Sequence, residues 1–372
     1  MRLLDRYRRY GDLSPKERRD RMLEHRREEP QRAGDHRPVL DLSGTTASAL
    51  PNPDVVNAAI AVARTRLQTY ADPEAGVPRR ALAERHDLDP EQVAVGNGAA
   101  ELLAGAAQAL LDSGDELLTP WPSYPVFPEL ARRADADLVM APLAEDQVDI
   151  DALISAVTER TRVVTLCNPN DPTGGYLPTR RVAELMERLP ERTYVFLDEA
   201  LAHFQTVEAL DASLALLERF PRLVVFRTLS KAFCLPGLRG GYAVGAREAA
   251  DLINSLAPAL GVNAVTQAAM AYAVTHLDYE IERRRHTVAV ERERVLEGAR
   301  AMSIEAAPSQ ANFVWLRSPG LPGAELAARL ERSGVVVAPG ERFGDDAHVR
   351  VGVRDAAATR RLLSALEAAV GG

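Results

Sequence analysis

From about residue 54 the chain alternates between helical periodicity and short, continuously apolar, β-rich runs, and this alternation limits its architecture more than any other feature. Helical segments at 54–68, 99–111 and 178–189 interleave with runs at 92–95, 116–119, 163–166, 194–197, 223–226 and 242–244. Strands that are apolar throughout need cover on both faces. The pattern therefore predicts an α/β fold with a mostly parallel sheet between two layers of helices. Sheets of this kind bind ligands outside the carboxyl ends of their strands. The unusual residues collect at those ends: Gly96-Asn97-Gly98 after one run, residues 168–174 after another, Asp198 after a third and Ser230-Lys231 after a fourth.

A length of 372 residues suits one large domain with a smaller companion. Residues 1–37 read as a charged helical extension, with Ser14-Pro15-Lys16-Glu17 as a capped helix start. Residues 38–53 would join the small domain, 54–262 form the large domain and 263–301 a linking helix. Residues 302–372 would form a small α+β domain, with strands at 311–317, 335–338 and 348–353 and helices at 323–333 and 355–369.

A formal net charge of -8 argues against a nucleic-acid surface. No apolar run approaches the roughly 20 residues of a membrane span. The start, MRLLDRYRRYGDL, lacks the apolar core of a secretory signal, so a cytoplasmic protein is expected. Cys167 and Cys234 cannot form a disulfide framework and read as free buried thiols.

Of 45 basic residues only Lys16 and Lys231 are lysines. A guanidinium stays protonated, whereas an amine can lose its proton and condense with an aldehyde. Lys16 sits in the charged N-terminal stretch. Lys231 sits in TLSKAFCLPGLRGGY and is the candidate Schiff-base lysine. Asp198, in VFLDEA, is either a ligand carboxylate at a strand end or a helix N-cap. Gly98-Ala99-Ala100 opens a helix, whose free N–H groups and dipole suit a phosphate. Taken alone, GNGAA is equally a tight turn.

Together, and in their order along the chain, these motifs resemble the fold type I pyridoxal-phosphate (PLP) enzymes. The likeness is to class I/II aminotransferases of the histidinol-phosphate aminotransferase-like branch, and it runs from about residue 40. The resemblance implies that Lys231 holds PLP and then shuttles a proton, while Asp198 pairs with the protonated pyridine nitrogen. It implies that Gly98, Ala99, Ala100, Thr228, Ser230 and Arg239 hold the phosphate. Tyr124, in PWPSYPVF, would stack on the ring, with Trp121 as a substitute; an aromatic at this place also serves as core. Tyr70 would reach the phosphate of the partner subunit, making a homodimer with shared active sites. Arg350, in HVRVGV, would bind the substrate α-carboxylate, since an inward arginine on a strand is costly without an anion. Asn312, in SQANFVWL, would support that region or stand as a satisfied turn residue.

The implied reaction moves an amino group between an L-amino acid, or a related amine such as histidinol phosphate, and a 2-oxo acid by a ping-pong mechanism. A decarboxylase of the threonine-phosphate type, a β-lyase, or a PLP-binding protein without turnover would use the same scaffold.

Three departures from the family pattern stand out. The loop NPNDPTG places Asp171 where an asparagine usually donates to the PLP ring oxygen. Leu201 replaces the tyrosine that supplies a second donor. With both donors gone, a proton is expected between Asp171 and the ring oxygen, unless Asp171 turns away and His203, Asn170 or a water donates instead. Residues 337–340, Val-Ala-Pro-Gly, lack the arginine that meets a substrate phosphate in histidinol-phosphate enzymes, and are closer to other class I/II aminotransferases.

Overall fold

The computed structural model describes residues 38–46, 49–258 and 260–371. The expected helix start at residues 14–17, and the whole of the charged extension 1–37 with it, lies outside the described residues. The first half of the chain runs β1 (Leu40–Asp41), α1 (Pro53–Arg66), α2 (Gly76–His86), β2 (Val93–Gly96), α3 (Ala99–Leu110), β3 (Glu116–Trp121), α4 (Val126–Arg133) and β4 (Asp137–Pro142). It continues through α5 (Ile150–Ala156), β5 (Thr161–Cys167), α6 (Thr179–Arg188), β6 (Tyr194–Asp198), β7 (Leu223–Thr228) and β8 (Gly241–Gly245). Then follow α7 (Ala250–Ser255), α8 (Ala264–His276), α9 (Asp278–Ala301), β9 (Glu305–Ala306) and β10 (Phe313–Arg317). The last elements are α10 (Gly323–Arg332), β11 (Val335–Val336), β12 (Ala338–Pro339), β13 (His348–Gly352) and α11 (Ala356–Val370).

Seven strands form one sheet in the order β2-β8-β7-β6-β5-β3-β4. It is parallel except at β8, which runs antiparallel to β2 and to β7. Alternate residues of each strand feed two different cores, as the two-residue period of a strand requires. Val164, Val195, Leu197 and Val225 pack on one face with Val182 and Leu185 of α6. Val163, Phe196, Val224 and Phe226 pack on the other with Leu102 of α3 and Phe127 of α4. The expected sheet with helices on both faces is what forms.

Local chemistry sets several helix starts. Asn52 accepts from the Asp54 N–H with Pro53 in the first turn of α1. Asp355 accepts from the N–H groups of Ala357 and Ala358 at the start of α11.

Four differences from the sequence reading have physical causes. β4 was not expected; it is an edge strand with an exposed, interrupted pattern, so no apolar run marks it. The helical stretch at 263–301 is two helices, α8 and α9, which meet at Leu277. The run at 335–338 is shared between two sheets: β11 pairs with β1 in parallel, and β12 pairs with β13. The run at 311–317 begins as a strand only at Phe313. β10 and β13 pair antiparallel with Trp315 opposite Arg350, at the middle of a four-stranded sheet ordered β12-β13-β10-β9.

Candidate active site

The parallel register sets Cys167, Asp198 and Phe226 side by side at the carboxyl end of the large sheet. Asp198, the last residue of β6, is 2% exposed, and its Oδ1 accepts from the Ala200 N–H at 2.9 Å. Burial raises its carboxyl pKa to about 6, against the Ala200 N–H and Lys231, which favour the charged form. A cation placed against Asp198 would be held strongly there.

Lys231 follows β7 after a short buried turn, and its Nζ bonds to Thr45 Oγ1. Burial lowers its ammonium pKa, which increases the share of neutral, nucleophilic amine. Tyr124 is half-buried, edge-on to Phe127 at 5.7 Å between centroids, and burial pushes its phenol pKa well up.

The start of α3 is shaped by two glycines. Gly98 has φ of 90°, and a Cβ there would lie 2.6 Å from Arg239 Nη2. A Cβ on Gly241 of β8 would lie 2.3 Å from the Ala99 nitrogen. Without either, α3 opens toward Arg239 with no side chain capping it. Arg239 Nη1 donates to Ser230 Oγ at 3.5 Å, and Thr228 Oγ1 lies 3.0 Å from Ser230 Oγ.

These groups line one cavity of about 220 Å³. Its lining includes Ala99, Ala100, Thr228, Ser230 and Arg239, the donor set for a phosphate. It also includes Lys231, Tyr124 and Asp198. An uncapped helix start beside an arginine, an amine and a buried carboxylate fit the phosphate, the aldehyde and the ring nitrogen of PLP.

Arg350 meets this cavity through Asp171. The Arg350 Nη1 pairs with Asp171 Oδ1, while Nη2 donates to Ser43 O at 2.9 Å. The Phe313 and Phe343 rings flank the guanidinium at 5.2 and 4.7 Å. Asn312 is buried; its Nδ2 donates to Thr45 O at 2.9 Å, and its Oδ1 has no hydrogen-bond partner among the described residues.

Other candidate residues lie outside the cavity lining or offer it no donor. Tyr70 is 89% exposed and lines a different one, beside Gln267. Trp121 lies against Gly344, not among the lining side chains. Asn170 is spent on Ser123, Pro122 and Thr173, and His203 packs edge-on to Phe233. Leu201 lines the cavity and offers no donor.

Sequence reasoning missed Thr45, which bonds to Lys231, Thr46, which lines the cavity, and the aromatic clamp on Arg350. The Gly-Thr-Thr run after β1 was the available signal for the threonines.

The family model for aminotransferase class I and II matches residues 38–366. The chain belongs to that family. An aromatic amino acid aminotransferase of Corynebacterium efficiens is 39% identical over 332 residues, covering 89% of this chain and 93% of that protein. A histidinol-phosphate aminotransferase of Carboxydothermus hydrogenoformans is 34% identical, covering 84% and 86%. Among solved structures, a histidinol-phosphate aminotransferase from Sinorhizobium meliloti in complex with pyridoxal-5'-phosphate superposes with a TM-score of 0.80 at 26% identity, covering 90% and 91%. A double mutant of Thermus thermophilus aspartate aminotransferase gives 0.79 at 26% identity and 98% of each chain. This class I/II aminotransferase moves an amino group between an amino acid, or a related amine, and a 2-oxo acid. Among its described residues no helix is long and apolar enough to cross a membrane.

Proposed function

We propose that this aminotransferase works on PLP carried by Lys231, takes its amino group from an aromatic L-amino acid and passes it to a 2-oxo acid. The observation that carries the reading is the convergence of Lys231, Asp198 and Arg239 on one cavity. When bound, PLP supplies an aldehyde that accepts the amine and a ring that takes up the electrons released at the α-carbon.

The protein's own residues do the rest. Lys231 would hold the cofactor and, with its amine free, would move the proton at the α-carbon. Asp198 keeps a proton on the pyridine nitrogen. Arg239, Ser230, Thr228 and the start of α3 fix the phosphate, and Tyr124 covers the ring face. Arg350 receives the α-carboxylate, supported by Asn312. Tyr70 completes the phosphate site of a second subunit.

The aromatic preference is supported by the several aromatic amino acid aminotransferases among the relatives. A phosphate-bearing substrate is disfavoured by residues 337–340, which place no arginine beside Arg350. Borohydride reduction and peptide mapping test the core of the proposal. The pyridoxyl group is expected on Lys231 and absent from Lys16; a label elsewhere, or none, overturns it. Incubation with single amino acids then tests the substrate. An aromatic amino acid should leave the cofactor in its amine form until a 2-oxo acid is added, without release of carbon dioxide or ammonia.

A further inference from the structure

Arg350 presents a guanidinium that is already engaged. Asp171 Oδ1, the Ser43 carbonyl and the faces of Phe313 and Phe343 surround it, and the side chains of Arg350 and Asp171 are each 11% exposed. Among the described residues, the titratable groups that interact with Asp171 are Arg350, Lys231, Asp198, Tyr124 and Cys167, of which the first two are cations. An α-carboxylate that reaches Arg350 therefore arrives beside a second carboxylate already held there. In so enclosed a place two anions on one guanidinium repel strongly, and a shared proton relieves the repulsion. An asparagine at this position would carry no such charge.

We propose that Asp171 determines specificity at this site: it is an internal carboxylate that competes with the substrate's own for Arg350, so that each carboxylate substrate binds together with one proton. The proton comes from solvent, rests on Asp171 and is donated to the substrate carboxylate, while Arg350 keeps one net anion. Binding of a carboxylate then weakens as pH rises, whereas binding of an uncharged analogue of the same shape does not. The proposal rests on the reading of Arg350 as the carboxylate-binding residue given above.

The test uses the holoenzyme and 3-phenylpropanoate, which has no amine and cannot react, with 3-phenylpropanamide as the uncharged control. Calorimetry between pH 7 and 9, in two buffers of different ionisation heat, gives both Kd and the protons taken up. For the wild type, Kd for the carboxylate should rise about tenfold per pH unit with uptake of one proton. In Asp171→Asn it should be at least about tenfold tighter at pH 8, independent of pH and without proton uptake. Asp171→Ser should behave likewise, which guards against a folding defect in one variant. The same titrations on cofactor-free protein supply a readout independent of turnover. A pH-independent Kd without proton uptake in the wild type, or a pH dependence that survives in both variants, overturns the proposal. Arg350→Gln separates the two readings. If it binds 3-phenylpropanoate as tightly as the wild type, the carboxylate-binding role of Arg350 falls, and the competition with it; if binding is lost there and the Asp171 variants do not change, only the competition falls.

Discussion

Asp198 and His203 follow the same strand and respond to acid in opposite senses. His203 is buried against Phe233, and burial holds its pKa down to about 3. Between that value and the ordinary 6.5 the unfolded chain binds a proton that the folded chain refuses. The stability from His203 is therefore complete above pH 6.5 and is lost as pH falls toward 3. Burial instead lifts Asp198 from 3.8 to about 6, so between those values the folded chain holds the extra proton. Its contribution grows as pH falls through 6. Each slope is about 1.4 kcal/mol per pH unit, and without cofactor they offset one another over roughly pH 4 to 6. Cofactor-free Asp198→Asn should therefore lose stability more steeply than cofactor-free wild type across that interval. Urea unfolding at several pH values checks it; parallel curves would contradict the assignment. At this scale the sequence was informative where chemistry is rare. A single lysine outside the charged extension, and an aspartate closing an apolar strand, name themselves. Thr45 and Phe343 do not, because they reach Lys231 and Arg350 only through long-range folding.

Among the elements, β8 and α3 show how the sheet builds a phosphate site. β8 is the antiparallel strand between β2 and β7, and it passes the start of α3 closely enough that a Cβ on Gly241 would meet the Ala99 nitrogen at 2.3 Å and the Gly98 carbonyl carbon at 2.6 Å. Neither neighbour is a flexible side chain, so Gly241→Ala must move backbone. The expected cost is about 1–3 kcal/mol of stability, the range for overpacking. The displaced Ala99 and Ala100 N–H groups should also weaken phosphate binding, so PLP affinity should fall while Asp198 and Lys231 stay in place. Urea denaturation of the cofactor-free protein and equilibrium titration with PLP check the two parts separately; unchanged affinity would mean that α3 does not hold the phosphate. The strands of the large sheet were legible because continuous burial leaves an apolar run. β4 was not, being an edge, and neither was the split of 335–338, since no local pattern says that β11 pairs with β1 and β12 with β13. The Arg350–Asp171 pair is hidden for the same reason: it joins β13 to the loop after β5.

At the scale of the whole molecule, the segment just after α1 is exposed. Leu67 is 74% exposed and Tyr70 89%, and Tyr70 lines one cavity with Val77, which is 59% exposed. Large apolar side chains grouped into a surface patch mark an interaction site. Tyr70 also lines a cavity separate from that of Lys231, so within one chain it does nothing for the site. A role at the cofactor phosphate requires a second copy of the chain, related by a two-fold axis that gives each subunit the other's Tyr70. The arrangement is tested by mixing Lys231→Ala with Tyr70→Ala, each severely impaired alone. If Tyr70 acts across the interface, every heterodimer contains one site with both lesions and one with neither. Equal mixing and full exchange should then restore roughly a quarter of wild-type activity, since half the dimers are mixed and half their sites intact. If Tyr70 instead served its own chain, every heterodimer site would carry one lesion and no activity would return. Size-exclusion chromatography with differently tagged subunits confirms that exchange has occurred, so an absence of recovery in exchanged material counts directly against the shared site.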